Sequence, residues 1–219
     1  MVTKRAPARR ARGRPTAGAG SSRGDLLDAA LSRYARQGIA ASSLRDIAAD
    51  AGVTPASLHY YFIDAAGLRD AVLAERLLPV FEEAQALLVQ RGEPAPGNIF
   101  VAFVERMCEL VARHDWLPAL WIREVVSEGG GLRDWMGTQL APGLSRLLAA
   151  RIAEEQAAGR LNPGLDPRLL MVSLVGLTLF PAAGLPIWRP LLDADDLGID
   201  DIRRHALALL ERGLETSHE

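Results

Sequence analysis

Apolar residues recur every three or four positions along most of the chain, which is the period of one face of an α-helix. Leu27, Leu31 and Tyr34 form the first such face, and Gly38 supplies the stop that ends it. No stretch of sequence alternates apolar and polar residues like a half-buried strand. The pattern therefore predicts an all-α protein.

Two short helices are predicted next, on either side of a turn that contains Gly52. Ser42 or Ser43 can cap the first of them, and Thr54 followed by Pro55 is an N-cap and first-turn pair that opens the second. This layout is typical of a helix-turn-helix, in which the second helix enters the major groove of DNA. Helical hairpins of this kind also occur in proteins that bind no DNA.

The second short helix has one side suited to DNA. At 100° per residue, Leu58 and Phe62 define its buried side. The opposite side carries small and polar residues that can approach base edges: Ala56, Ser57 and Tyr60. His59 and Tyr61 lie on the two flanks, where phosphates would be. The alternative is that the tyrosines are ordinary core residues.

The remaining pattern predicts longer helices separated by widely spaced breaks. Asp64 and Asp115 are candidate N-caps, and Asp166-Pro167 repeats the cap and first-turn signature. The predicted helices run over 65–89, to about 113 after Pro96-Gly97, over 116–127, over 132–158 with a break near Pro142, over 168–180 and over about 200–214.

Charge is distributed very unevenly. Residues 1–24 carry seven basic side chains and no acidic one, whereas residues 25–219 carry 18 basic and 27 acidic side chains. A basic segment on an acidic protein is typical of a tail that binds a polyanion, and nucleic acid is the first candidate. Residues 1–22 show no apolar period and are predicted to be a disordered arm.

Within this arm, Arg12-Gly13-Arg14-Pro15 resembles the core of an AT-hook, a segment that lies in the minor groove. The prediction is that Arg12 and Arg14 contact DNA there. The alternative is a generic, solvated basic tail.

The segment from about Arg23 to Val72 resembles the TetR-type transcriptional regulators. Three stretches carry the resemblance: Leu44-Arg45-Asp46-Ile47-Ala48, Ala51-Gly52-Val53-Thr54 and Ser57-Leu58-His59-Tyr60-Tyr61-Phe62. The resemblance implies a three-helix DNA-binding head over residues 23–72. It also implies a helical body over residues 73–219 that binds a small effector and forms a homodimer.

The resemblance also implies roles for individual residues of the head. Together with the cap Thr54, the expected DNA contacts are Ser43 and Arg45 at the start of the second helix, Ser57 and Tyr60 on the bases, and His59 and Tyr61 on the backbone. The sequence departs from the family at Ala65, where lysine is usual, and at His59, where tyrosine is commoner. Residues 25–72 also carry a net charge of −2. These departures motivate an alternative: a ligand-binding or scaffolding protein that has lost DNA binding.

The body contains a stretch without charge from Leu169 to Trp188, which on length alone suggests a membrane span. Pro181 and Pro186 predict a break, so that the helix from Pro167 would end near residue 180, after about 21 Å, too short to span a bilayer. Burial on both sides, partly against a second copy, is the preferred interpretation. The expected dimer contacts are Leu169, Val172, Val175, Gly176 and Leu179.

Aromatic and methionine residues in the body suit an adaptable apolar pocket, although plain core is the commoner role. The candidate pocket residues are Phe103, Met107, Trp121 and Met171. The four histidines lack the spacing of a metal site, a single Cys108 cannot form an internal disulfide, and no catalytic motif is present. We therefore expect no metal, no cofactor and no enzyme activity.

The sequence thus predicts a cytoplasmic, ligand-responsive repressor that binds a palindromic operator in double-stranded DNA as a homodimer. Its effector should be an apolar or amphipathic small molecule, and no membrane partner is expected. A third alternative, a membrane-tethered protein, rests only on the uncharged stretch.

Overall fold

The structure, a computed structural model, describes residues 22–89, 96–139 and 142–214, and every regular element in these ranges is helical. The all-α fold is confirmed. Arg12 and Arg14 lie outside the described residues. The α-helices are α1 (Arg23–Gln37), α2 (Leu44–Asp50), α3 (Pro55–Phe62), α4 (Ala65–Val72), α5 (Leu78–Val89), α6 (Pro96–Arg113), α7 (Trp116–Leu120), α8 (Arg133–Gln139), α9 (Pro142–Ala157), α10 (Pro167–Leu191) and α11 (Ile199–Leu214).

The head is a three-helix unit closed by α4. As predicted, α1 ends at Gly38, whose φ of +91° suits glycine. Of the two candidate caps for α2, Ser43 is the one used, and its hydroxyl accepts from Asp46 N. Leu27, Ile47 and the other buried residues of the head form one apolar cluster, which fixes the angle between α2 and α3.

The fourth predicted helix is interrupted by a π-helical segment, Leu73–Leu77, between α4 and α5. Two ion pairs hold α1 against this segment. Arg23 Nη1 lies 2.5 Å from Glu75 Oε2, and Arg76 Nε lies 2.6 Å from Asp28 Oδ1. Ion pairs as well as apolar packing therefore hold the head against the start of the body.

A second π-helical segment, Trp121–Val126, follows α7, where the sequence predicted one regular helix over 116–127. The predicted cap by Asp115 is wrong. Its backbone is helical, with φ −59° and ψ −24°, and its side chain makes no cap hydrogen bond. An N-cap residue needs an extended backbone for its side chain to reach the amides of the first turn.

The predicted end of α10 near Phe180 is also wrong, because the helix continues through Pro181 and Pro186 to Leu191. Each internal proline removes one helical hydrogen bond, and packing offsets the loss. Ala182 and Gly184 are buried beyond the first proline. The Trp188 indole covers Gly184 so closely that a Cβ there would lie 2.1 Å from Nε1.

This longer helix, of 25 residues and about 37 Å, removes the length argument against a membrane span. By length and composition, α10 could cross a bilayer. One of its faces nevertheless lies in the core of the body with α6 and α11, and on that face Leu174 and Thr178 have no exposed surface. The helix is thus the central packing element of the body.

Candidate nucleic-acid interface and apolar cavity

The exposed side of α3 carries the residues that the sequence assigned to it. Leu58 and Phe62 are buried, with 0% and 4% of their surfaces exposed. Tyr60 is 83% exposed, and Ala56 and His59 are exposed beside it. The predicted orientation of this helix is confirmed for Ala56 and Tyr60, which face away from the core, whereas Ser57 is half-buried.

Tyr60 and Tyr61 form a rigid aromatic edge on this surface. Their rings pack edge to face, with centroids 5.1 Å apart and an angle of 81° between planes. At the start of α3, Thr54 occupies the N-cap position, but its side chain makes no cap hydrogen bond. Its Oγ1 lies 3.1 Å from Ser57 Oγ, so the two hydroxyls hold each other beside the aromatic edge.

At the start of α2, the Ser43 hydroxyl is engaged with Asp46. Ser43 Oγ donates to Asp46 Oδ2 at 2.6 Å and accepts from Asp46 N at 3.2 Å. This hydroxyl, assisted by the Arg33 guanidinium, holds the pKa of Asp46 below its usual value. The expected phosphate contact of Ser43 would require its proton to leave Asp46. Arg45 is exposed and forms no ion pair within the described ranges.

His59 has a local partner that the sequence did not suggest. Its Nδ1 lies 2.6 Å from the carbonyl oxygen of Ile63. Because a carbonyl only accepts, Nδ1 carries the proton and donates it to Ile63. Ile63 has φ +64°, a strained value for a β-branched residue, and its side chain is 82% exposed. His59 thus stabilises the turn between α3 and α4.

The acidic residues of the head are already occupied by partners within the protein. Asp25 and Asp64 cap helices, and Asp70 pairs with Arg69. Asp28, Asp46 and Asp50 pair with arginines of α1 or of the first π-helical segment. Among these arginines, Arg76 lies outside residues 25–72, so the net charge of −2 for that range leaves out the cation that pairs with Asp28.

The body contains a cavity of about 630 Å³ between α5, α6, α7, the second π-helical segment and α10. The four candidate pocket residues all line it: Phe103, Met107, Trp121 and Met171. In the described part of the chain, no side chain that lines the cavity is charged, and Gln85 of α5 is the one with a polar amide group. The sequence offered no signal that singled out Gln85, because a lone glutamine on a helix is usually solvated.

Val172, Gly176 and Phe180 line the cavity and are also exposed, so the cavity reaches the surface beside α10. Leu169 is 58% exposed on the same helix. Leu179, by contrast, has 2% of its surface exposed and packs in the chain's own core. Its expected role in the dimer contact is therefore wrong, because the helix turns this side chain inward.

Glu124, in the second π-helical segment, connects head and body. Acidic side chains on helices are usually solvated, but only 4% of the surface of Glu124 is exposed. Its Oε1 accepts from Ile39 N in the head at 2.9 Å, and its Oε2 accepts from Gly131 N in the body at 2.8 Å. The contact to Ile39 spans 85 residues of sequence, which explains why local patterns missed it.

Reactive groups are sparse in the described part of the chain. No group of three or more His, Cys, Asp or Glu there could hold a metal ion. Cys108 is 3% exposed, and burial raises the pKa of its thiol to about 11. A thiol in this state is protonated and inert at neutral pH.

Residues 26–72 match a family model described as bacterial regulatory proteins, tetR family. No protein of curated function matches the chain. Solved structures do share its fold. A putative TetR-family transcriptional regulator from Rhodococcus sp. is 23% identical, with a TM-score of 0.60, and the match covers 87% of this chain and 97% of that one.

Two further structures extend over nearly the same length. The ketosteroid transcriptional regulator KstR2 of Mycobacterium tuberculosis is 19% identical, with a TM-score of 0.68 and coverage of 91% of this chain and 99% of that one. The transcriptional regulator FadR from Bacillus subtilis, solved in complex with stearoyl-CoA, is 18% identical, with a TM-score of 0.61 and coverage of 89% and 100%. The fold likeness thus includes the body as well as the head.

Proposed function

We propose, from the match of residues 26–72 to the family model of bacterial regulatory proteins, tetR family, that the chain is a ligand-responsive transcriptional repressor. It binds a palindromic operator as a homodimer in the cytoplasm. Residues 1–22 act as a DNA-binding arm, residues 23–72 as the head and residues 73–219 as the effector-binding and dimerisation body. It is a regulator and not an enzyme.

The observation that carries the proposal is the exposed edge of α3. A tyrosine that is 83% exposed lies on a short helix whose other side is fully buried. Such a side chain makes its largest contact area when a DNA groove covers it. Small neighbours such as Ala56 allow close approach to base edges. We assign base contacts to Arg45, Ser57 and Tyr60, and positioning contacts to Ser43, Thr54, His59 and Tyr61.

Dimerisation is assigned to the exposed face of α10. Leu169, Val172 and Ile187 are 58%, 67% and 59% exposed, which is unusual for large apolar residues along one helix. A continuous apolar face of this kind is typical of a protein–protein contact. Val175 and Gly176 complete the contact. A Cβ built at Gly176 would meet no atom of the described residues within 4 Å beyond its own helix backbone and chain neighbours, so a partner helix can approach there.

The effector is assigned to the cavity of the body. Its volume falls in the range of small-molecule sites, and its described lining is apolar except for Gln85. An apolar or amphipathic molecule fits this lining, with its polar end near Gln85 of α5. The stearoyl-CoA bound by the Bacillus subtilis regulator is a molecule of that general kind.

The test is selection of binding sequences from a random DNA pool with the full-length protein. We expect enrichment of a two-fold symmetric sequence with half-sites one helical turn apart. Tyr60→Ala should weaken this enrichment, whereas Leu209→Ala, which truncates an exposed residue of α11, should preserve it. If no symmetric sequence is enriched, the alternative of a helical ligand-binding protein without DNA binding replaces this proposal.

A further inference from the structure

The site around Glu124 is built for a carboxylate. A Cβ at Gly38 would lie 3.0 Å from its Oε1, and one at Gly131 would lie 3.2 Å from its Oε2. Both flanking segments therefore approach closely because these positions are glycines. Each carboxylate oxygen receives one backbone amide, which satisfies a buried charge that would otherwise be very costly.

The same π-helical segment also forms a wall of the cavity. Trp121, Ile122 and Val126 line it, while Glu124 lies between them in sequence and points to the head. A π-helical turn holds one residue more than an α-helical turn, and such turns occur often at functional sites. Loss of that extra residue would rotate the adjoining side chains by about 100°.

On the head side, Glu124 contacts the short loop between α1 and α2. Ile39 follows α1, and α2 begins at Leu44, after the cap Ser43. If the hydrogen bond from Ile39 N to Glu124 broke, the loop that connects α1 to α2 would lose a contact that holds it against the body. A molecule in the cavity that displaces Trp121 therefore acts close to the DNA-contact surface. The Glu124 side chain and the loop between α1 and α2 connect the two sites.

We propose that Glu124 is a positioning residue that couples occupation of the cavity to the placement of the head. This inference rests on the proposed function, because it takes the cavity as the effector site. Coupling requires an element with two states that both sites bias. In this proposal the two states are the π-helical arrangement of Trp121–Val126 that the structure shows and an α-helical arrangement of the same segment. Occupation of the cavity shifts the segment and changes the hold of Glu124 on Ile39.

The experiment measures amide hydrogen exchange of residues 38–43 in the full-length protein, with and without the uncharged probe N-phenyl-1-naphthylamine. Ala84→Phe, which fills part of the cavity from α5, serves as a second way to occupy it without any ligand. A coupling of typical size corresponds to a change in exchange rate of at least about 5-fold. We expect this change in the wild type and its loss in Glu124→Gln.

Glu128→Gln is the matched control, because it removes the same charge from an exposed position four residues away. Exchange of residues 202–210 in α11, of which Ile202, Ala206 and Leu210 are buried and none lines the cavity, reports global stability. A merely structural role of Glu124 would raise exchange there as well. Glu124→Asp keeps the negative charge, but its shorter side chain cannot contact both Ile39 N and Gly131 N. It should therefore behave like Glu124→Gln. This shorter carboxylate provides a second variant if the glutamine disturbs folding.

Two results would overturn the inference. The first is unchanged exchange at residues 38–43 in the wild type when either the probe or Ala84→Phe occupies the cavity. The second is an equal response in Glu124→Gln and the wild type. Failure of the DNA selection would contradict the proposed function alone, since hydrogen exchange reports the coupling without any DNA.

Discussion

Arg33 Nη1 lies 2.9 Å from Asp50 Oδ2, a contact that ties the middle of α1 to the last residue of α2. The arginine side chain is only 13% exposed, and the same carboxylate oxygen also receives Arg36 at 3.0 Å. The ion pair holds α2, the first helix of the helix-turn-helix, against α1. Asp50 is therefore a structural acid that is already neutralised before DNA arrives.

Removing this carboxylate should destabilise the head. Asp50→Ala removes the nearer of the two carboxylates that pair with the shielded Arg33, since Asp46 lies 3.5 Å away. We expect a loss of about 1–3 kcal/mol in the free energy of unfolding. Asp70→Ala removes an exposed ion pair with Arg69 and should cost less than about 1 kcal/mol. Urea denaturation followed by circular dichroism compares the two variants. Equal losses would mean that the pair of Arg33 is no stronger than a surface contact.

Readout and positioning on α3 can be separated by two tyrosine substitutions. Tyr61→Phe removes a hydroxyl assigned to the backbone, so it should weaken all duplexes by a similar factor. Tyr60→Ala should also reduce discrimination between operator variants, by about 1–3 kcal/mol per lost base contact. Fluorescence anisotropy with the selected operator and its single-base variants measures both effects. The reverse pattern would exchange the two assignments.

The basic arm should govern the salt dependence of DNA binding. Deleting residues 1–22 removes six of the seven basic residues that precede Gly24, including Arg12 and Arg14. The slope of log affinity against log salt changes by about 0.9 for each phosphate neutralised. We expect a slope shallower by several units per dimer, with preference among major-groove variants largely kept. Identical slopes for the full-length and truncated proteins would show that the arm does not reach phosphates.

The turn at Ile63 should tolerate glycine better than isoleucine. Its φ of +64° lies in the left-handed region, so Ile63→Gly relieves backbone strain and should raise the free energy of unfolding by about 1 kcal/mol. Ala112→Gly, at an exposed position within α6, should lower it by about 0.5–1 kcal/mol. Thermal unfolding of both variants tests the sign. A loss of stability in Ile63→Gly would show that its side chain contributes more than the strain costs.

Stability should fall at alkaline pH because of Tyr34. Burial raises the pKa of its hydroxyl from 10.0 to about 12. Between these values the unfolded chain releases the proton that the folded chain retains, so the free energy of unfolding decreases as pH rises from 10 to 12. Tyr34→Phe should flatten this part of the profile, measured by urea denaturation at several pH values. An unchanged decline would assign it to other groups.

The head was predictable because its signals are local. Ser43, Pro55 and Gly38 mark helix ends through contacts within four residues, and the wheel of α3 depends only on the helical period. The misses depend on tertiary packing. The prolines of α10 are tolerated because its inner face is buried, and Glu124 is buried by a loop 85 residues away. Neither effect leaves a pattern in neighbouring residues.

Cys108, the single cysteine of the chain, is buried and protonated at neutral pH. Any cysteine introduced on the surface would therefore be the one thiol that reacts readily, without removal of the native residue. Ala56→Cys would carry one spin label on the exposed side of α3. In a homodimer, two such labels give a single distance between the heads, and pulsed electron paramagnetic resonance can follow that distance as the cavity is filled.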